Sequence, residues 1–213
     1  MKLLPQLFII SAITICACQN NTKNTSNSDS ILNNESSAVA KTDTIKQIER
    51  QEVKSTISLS ANALQIVNQT SGSTKEIAFG MRLEQLVEIV ENVLKSKPTI
   101  NMNSECGAGP LKFATWENGL TLLFQEKKKD EWLFAGWAAN KSKKNQSKLT
   151  TMANVGIGTS RKEIESAYVI NVSKTSLGFE FSTKSNDLYG IFDGGNENSK
   201  ITNLWSGVSC NFR

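Results

Sequence analysis

The chain has 213 residues, with 24 lysines and arginines against 20 aspartates and glutamates, and its formal net charge is +4. This small positive excess does not favour nucleic-acid binding, which basic domains achieve with a much larger surplus. The sequence contains no histidine, which excludes Ser-His-Asp and Cys-His catalytic sites and histidine-ligated zinc. We therefore expect no nucleic-acid partner, no cofactor and no metal site.

The N-terminal seventeen residues have the pattern of an export signal. A lysine precedes an apolar run, residues 3–15, that is too short to span a bilayer. The run ends in Ile15-Cys16-Ala17-Cys18, which resembles the bacterial lipobox, whose last cysteine is acylated and becomes the new N-terminus. The small Ala17 beside the cleavage position favours Cys18 over Cys16. The resemblance implies a lipoprotein that bears palmitate-type chains, with residues 1–17 as signal peptide and Cys18 as its anchor in the lipid bilayer.

Two other interpretations of this leader are a transmembrane anchor and a signal that is cleaved without lipidation. Gln19 follows the lipobox cysteine, at the position where inner-membrane lipoproteins commonly carry aspartate. The resemblance therefore favours the bacterial cell envelope, with the protein anchored in the outer membrane and facing the periplasm.

Residues 18–56 are predicted to form a disordered tether. They are rich in Asn, Ser and Thr and contain no aromatic residue, so they cannot bury enough apolar surface to offset the entropy of ordering. A flexible chain of this length has an end-to-end distance on the order of 35 Å. The folded part can then stand away from the membrane.

The two cysteines beyond the leader and tether, Cys106 and Cys210, are predicted to form a disulfide. An even pair in an oxidising compartment is typical of a structural bridge. The bridge would close a loop of about a hundred residues, for which the loop-entropy relation gives roughly 4–5 kcal/mol. The alternative is a reactive thiol, which would lack both a histidine and a Cys-x-x-Cys partner.

Residues 57–213 are predicted to form one α+β domain. The alternating residues 57–61 and 64–67 predict an opening strand or hairpin. Apolar residues recur at helical spacing from Leu83 to Leu94, which predicts an amphipathic helix that ends before Pro98. Strand-like runs follow at 111–116, 120–126 and 132–140. The first two are joined by Asn118-Gly119, which is a strong hairpin signal.

A helix followed by strands is then predicted a second time. Ser160 and Glu163 have the spacing of a capping box at the start of a helix. Strand-like runs follow at 176–183, 188–192 and 201–206. The order predicts two tandem helix-plus-antiparallel-strand units, with repeats at about 77–140 and 155–213.

This order resembles the fold shared by β-lactamase inhibitor protein and the small barrel-assembly lipoprotein of the outer membrane. Phe79-Gly80 and Ile157-Gly158 precede the two helices, and Gly136-Trp137 is echoed near the end by Trp205 and Gly207. The resemblance implies α+β layers with helices packed on one face of a sheet. In the inhibitor each unit has its own disulfide, whereas here one cysteine lies in each unit, so no inhibitory residue is carried over.

The best candidate for a partner-binding site is the aromatic run from Trp132 to Trp137. Strand alternation would place Trp132 and Phe134 on one face and Leu133 and Trp137 on the other. A strand that is apolar on both faces is either buried centrally or presents an aromatic binding face. Trp132, Phe134 and Trp137 are the candidate contacts.

Three functional hypotheses follow from these features. The first is a non-enzymatic, membrane-anchored lipoprotein that binds a protein or an envelope polymer. The second is an envelope hydrolase that acts through carboxylates such as Glu180 and Asp187. The third is a structural spacer without a specific ligand. The absence of histidine, the anchor and the tether favour the first hypothesis, with no catalytic residue.

Overall fold

Eleven β-strands and two short α-helices form in the residues that the computed structural model describes, 54–142, 149–185 and 187–210. The predicted signal peptide, the lipidation of Cys18 and residues 18–53 of the tether lie outside these ranges. The last residues of the predicted tether already belong to the first strand, which begins at Ser55. None of the helices in the described ranges is long and apolar enough to cross a membrane.

The described part of the chain begins with a three-stranded antiparallel sheet, in which the middle strand pairs with both neighbours. Its strands are β1 (Ser55–Ser60), β2 (Ala63–Asn68) and β3 (Thr74–Ala78). Leu59, Leu64 and Ile77 of these strands are each 1% exposed. This sheet therefore contributes one apolar face to the protein core.

Helix α1 (Leu83–Leu94) has the predicted amphipathic pattern and the predicted end. Leu83, Leu86, Val87 and Val90 are buried, as their helical spacing requires. The helix ends where Lys95 adopts a left-handed conformation and donates its backbone N–H to the Glu91 carbonyl, three residues before the proline.

The second sheet contains eight antiparallel strands in the order β4-β5-β6-β7-β11-β10-β9-β8. The strands are β4 (Thr99–Asn103), β5 (Leu111–Thr115), β6 (Leu120–Lys128), β7 (Glu131–Asn140), β8 (Ile170–Thr175), β9 (Gly178–Thr183), β10 (Tyr189–Phe192) and β11 (Ile201–Gly207). The predicted turn joins β5 to β6, and Gly119 there has a φ of 93°. The first four strands meet the last four where β7 pairs with β11.

Helix α2 (Arg161–Ala167) begins with the predicted capping box. The Ser160 hydroxyl accepts the Glu163 backbone N–H, and the Glu163 carboxylate accepts the Ser160 backbone N–H at 2.6 Å. This reciprocal pair satisfies two of the donors that a helix start leaves free. The buried Ile164 fixes the short helix to the core.

One face of the eight-stranded sheet forms a continuous core with both helices and the three-stranded sheet. Trp137 is fully buried in this core, and its indole N–H donates to the Ser60 carbonyl at 2.8 Å. Trp116 donates in the same way to the Ser96 carbonyl at 3.0 Å. These hydrogen bonds satisfy the only polar atom that each buried indole carries.

The predicted α+β class of helix-plus-strand units is wrong, because the described residues are mainly strand, with helices of only 12 and 7 residues. The prediction missed β3, β4 and β8. In each of them at most one side chain is buried, so no alternating apolar pattern marks the strand. These strands form through backbone pairing with a neighbour, and they make the protein β-rich.

Candidate functional site

The eight-stranded sheet has a second face, opposite the core, which we call the outer face. Alternation along the strands places Phe113, Leu123, Ala138, Ile191 and Trp205 there. Ala138 is opposite Trp205 in the register, and the Trp205 ring stacks on Tyr189 with centroids 6.0 Å apart. These five residues form an apolar floor across the central strands of the sheet.

Polar side chains without charge lie along the same face beside this floor. Thr115 and Thr121 are opposite each other on β5 and β6, and their hydroxyls are 3.2 Å apart. On the central strands, the Asn203 side-chain amide donates to Asn140 Oδ1 at 2.6 Å. Asn101 of β4 completes this polar rim.

The C-terminal segment forms one end of the site. After Gly207, whose φ is 73°, the chain turns so that the Val208 backbone N–H donates to the Ala135 carbonyl at 2.9 Å. A Cβ on Gly136 would lie 2.2 Å from the Val208 oxygen, so this close approach requires glycine. The segment then reaches the predicted disulfide between Cys106 and Cys210, which is present.

The apolar floor, the polar rim and the C-terminal segment line an open trough with a volume of about 440 Å³. We call it the outer-face trough. Leu204, Ser209 and Cys210 complete its lining, and none of the thirteen described residues that line it is charged. Amide and hydroxyl groups offer both donors and acceptors above an apolar floor. The trough can therefore hold an uncharged segment that carries hydrogen-bonding groups and apolar surface.

The predicted contacts Trp132, Phe134 and Trp137 are all buried on the core face, with 5%, 1% and 0% exposure. Strand alternation predicted opposite faces for Trp132 and Trp137, but the register with β6 shifts by one residue after Leu123. The extra residue of this β-bulge changes the phase of β7, so all three side chains point into the core. They present no aromatic face to a partner, and the alternative of central burial describes them.

The carboxylates of the hydrolase hypothesis, Glu180 and Asp187, lie on different sides of β9. Glu180 is opposite Ile191 in the register and so belongs to the outer face. Thr183 lies three residues further along the strand and so points the other way, and its hydroxyl donates to Asp187 Oδ1 at 2.7 Å. The two carboxylates therefore do not share a site.

Asp187 is held by a local network instead. Partial burial raises the pKa of its carboxyl, but hydrogen bonds from the Ser185 and Thr183 hydroxyls and from backbone N–H groups outweigh this and lower the pKa below its ordinary value of 3.8. The Ser185 hydroxyl lies 2.6 Å from Asp187 Oδ1. The network closes the turn between β9 and β10, which is a structural role.

The sequence analysis did not single out the floor residues as a site. The informative signal was that β5 and β6 carry apolar residues in both alternation phases, with Phe113 and Leu123 on one face and Ala114 and Leu122 on the other. Comparison with protein-family models, curated proteins and solved structures gives no match for this chain. The resemblance to the inhibitor and barrel-assembly fold stays a prediction.

Proposed function

We propose that this protein is a non-enzymatic lipoprotein of the bacterial envelope that binds an uncharged segment of a protein or envelope polymer in its outer-face trough. The observation that carries the proposal is that the described residues lining that trough are all neutral, in a chain where 21% of the residues are charged. A desolvated charge opposite this lining would lack a counter-ion and would bind poorly. A neutral partner does not have to give up the hydration of a charge when it binds.

The anchor follows from the lipobox at Cys18, with its bilayer contact through acyl chains, and from the Asn- and Ser-rich segment that follows. Two acyl chains hold a protein on a membrane more firmly than one, since each buried CH₂ contributes about 0.8 kcal/mol. The Cys106–Cys210 disulfide supports an oxidising compartment such as the periplasm. Gln19 favours the outer membrane.

Binding can be tested with a pair of matched variants of the full chain. Asn140 and Asn171 are both exposed asparagines on the outer face, but only Asn140 lines the trough. Asn140→Arg should therefore abolish retention of an envelope component that the unmodified protein and Asn171→Arg both retain. Equal retention by the two variants would contradict the proposal, and no saturable retention by any of them would favour the spacer.

The class of partner is decided by the same assay on two preparations of the envelope. One preparation is digested with protease, which leaves the polymers, and the other is depleted of polysaccharide, which leaves the proteins. Trough-dependent retention from only one preparation identifies the partner as polymer or protein.

The anchor can be tested by labelling cells with a radioactive or clickable palmitate. We expect label on the unmodified protein and on Cys16→Ser, and none on Cys18→Ser, because the small Ala17 precedes only Cys18. Cys18→Ser should also leave the membrane fraction. Label that depends on Cys16, or no label at all, would contradict the lipoprotein assignment.

A further inference from the structure

Strand β4 is one edge of the eight-stranded sheet. The register with β5 determines which backbone groups of β4 point outward from that edge. The backbone N–H of Trp116 donates to the Leu120 carbonyl at the β5–β6 turn. Hydrogen-bonding direction alternates along a strand, so Leu111, Phe113 and Thr115 direct their backbone groups to β4. Their register partners on β4 are Asn103, Asn101 and Thr99.

The backbone N–H and C=O groups of the remaining two residues, Ile100 and Met102, consequently point away from the sheet. No described strand pairs with this edge. Their side chains are 47% and 59% exposed, which makes them two of the four large exposed hydrophobic residues in the described part of the chain. The edge therefore offers apolar surface together with backbone groups that no described strand pairs.

Edge strands are usually protected by charge, and the two edges of this sheet differ in that respect. Strand β8 carries Lys174 at the opposite edge. Strand β4 has the sequence TINMN and contains neither charge nor proline. The lysine thus opposes pairing of β8 with a strand of another molecule, whereas nothing in the sequence of β4 opposes such pairing.

We propose that β4 pairs antiparallel with β4 of a second copy of this chain, around a two-fold axis at Asn101. In this register Ile100 is opposite Met102 of the second copy, so the two exposed apolar side chains cover each other. Thr99 is then opposite Asn103, which keeps polar residues together on the outer face. The four outward backbone groups of each chain make four hydrogen bonds across the axis.

Charges just beyond β4 select this register and this occupant. With the axis at Asn101, Lys97 of one chain is opposite Glu105 of the other, since both lie four residues from the axis. Both side chains are exposed, and neither has an ion-pair partner among the described residues. Two opposite-charge pairs therefore flank the shared ladder. The ladder ends at Pro98, whose nitrogen has no hydrogen to donate.

The dimer would also extend the outer-face trough. Asn101 lines the trough and lies on the axis, so the rims of the two troughs meet at the paired β4 strands. A long uncharged ligand could then contact both copies, which raises the effective concentration for the second contact. The dimer itself does not depend on the trough binding any ligand.

A cysteine cross-link in the full chain tests the register. Asn101 bonds to β5, so in the dimer the two Asn101 residues form a non-hydrogen-bonded pair with Cα atoms about 4.5 Å apart, within disulfide reach. Asn101→Cys should give a covalent dimer under mild oxidation. Thr99→Cys is the matched control on the same face and strand, because the two Thr99 Cα atoms would be roughly 13 Å apart.

Exchanging the charges at Lys97 and Glu105 tests whether the strand that pairs with β4 belongs to a second copy of this chain. Lys97→Glu should weaken the dimer roughly tenfold in sedimentation equilibrium, because two pairs change from attraction to repulsion. Adding Glu105→Lys to the same chain should restore the dimer. Equal cross-linking at 99 and 101, a monomer for the unmodified chain at about 100 μM, failure of the restored pair, or cross-linking of Asn101→Cys to a different protein would each overturn the proposal.

Discussion

The Asn203 amide donates a hydrogen bond of 2.6 Å to Asn140 Oδ1 across the pairing of β7 with β11. This contact joins the two four-strand halves of the large sheet at the middle of the outer-face trough. Thr202 Oγ1 donates to Asn203 Oδ1 at 3.0 Å, so the orientation of the amide is fixed. Two neutral amides thus occupy the point where a charged ligand would need a counter-ion.

Replacing Asn203 by aspartate tests the importance of this neutrality. The shape is preserved, and the Asn140 amide can rotate to donate, so the free energy of unfolding should change by about 1 kcal/mol or less. Binding of the neutral partner should weaken at least about tenfold, since the new charge must lose water without a counter-ion. Asn171→Asp is the matched control outside the trough. Equal affinities of the two variants would contradict the proposed trough.

The Cys106–Cys210 disulfide should be the largest single covalent contribution to stability. It joins residues 104 positions apart, and the loop-entropy relation gives roughly 4–5 kcal/mol for a closed loop of this size. We expect urea denaturation of Cys106→Ala/Cys210→Ala to show a loss of that order relative to the unmodified protein. The intact mass should rise by about 2 Da on reduction, as two hydrogens are added per bridge. A constant mass would exclude the bridge.

Trp137 should act on stability and not on binding. It is fully buried, and its indole N–H links β7 to the Ser60 carbonyl of the smaller sheet. Trp137→Ala should cost about 3–5 kcal/mol, and Trp137→Phe about 1–3 kcal/mol because the partly buried Ser60 carbonyl loses its donor. Chemical denaturation measures both losses. A folded Trp137→Phe protein that had lost its partner would instead restore the aromatic-strand hypothesis.

Asp187 should make stability depend on pH in the acid range. Its folded-state pKa is lowered below 3.8, so the native state favours the carboxylate, and the stabilisation is complete above the ordinary pKa. It is lost as the pH falls through the lowered pKa. The difference in unfolding free energy between the unmodified protein and Asp187→Asn should thus be constant above about pH 5 and shrink below about pH 4. A difference that grows on acidification would contradict the network.

Local signals predicted the elements that depend on local chemistry. The apolar spacing of α1, the Ser160–Glu163 capping box, the Asn118-Gly119 turn and the cysteine pair were all predicted and are present. Each of them follows from side chains that are close in sequence or, for the cysteines, from the absence of other partners. The prediction of the fold class was wrong because β3, β4 and β8 bury at most one side chain each. Their extended conformation depends on pairing with neighbouring strands.

The aromatic residues Trp132, Phe134 and Trp137 were predicted as partner contacts but are buried for a different reason. A single extra residue at the β6–β7 bulge rotated Trp137 into the core, and no local signal in the sequence marks that position. The outer-face trough depends on the register of six strands and on where the C-terminal segment crosses Gly136. Such long-range pairing cannot be deduced from the periodicity of one strand.

Site-specific photo-cross-linking in living cells can show whether the outer-face trough is the binding site. A photoreactive residue at Thr121, inside the trough, should form an adduct with one partner, and the same residue at Ser173, on the outer face of β8 but outside the trough, should not. The adduct at position 121 should disappear when Asn140→Arg is added. Adducts of equal yield at both positions, or none at position 121, would show that the outer-face trough is not the binding site.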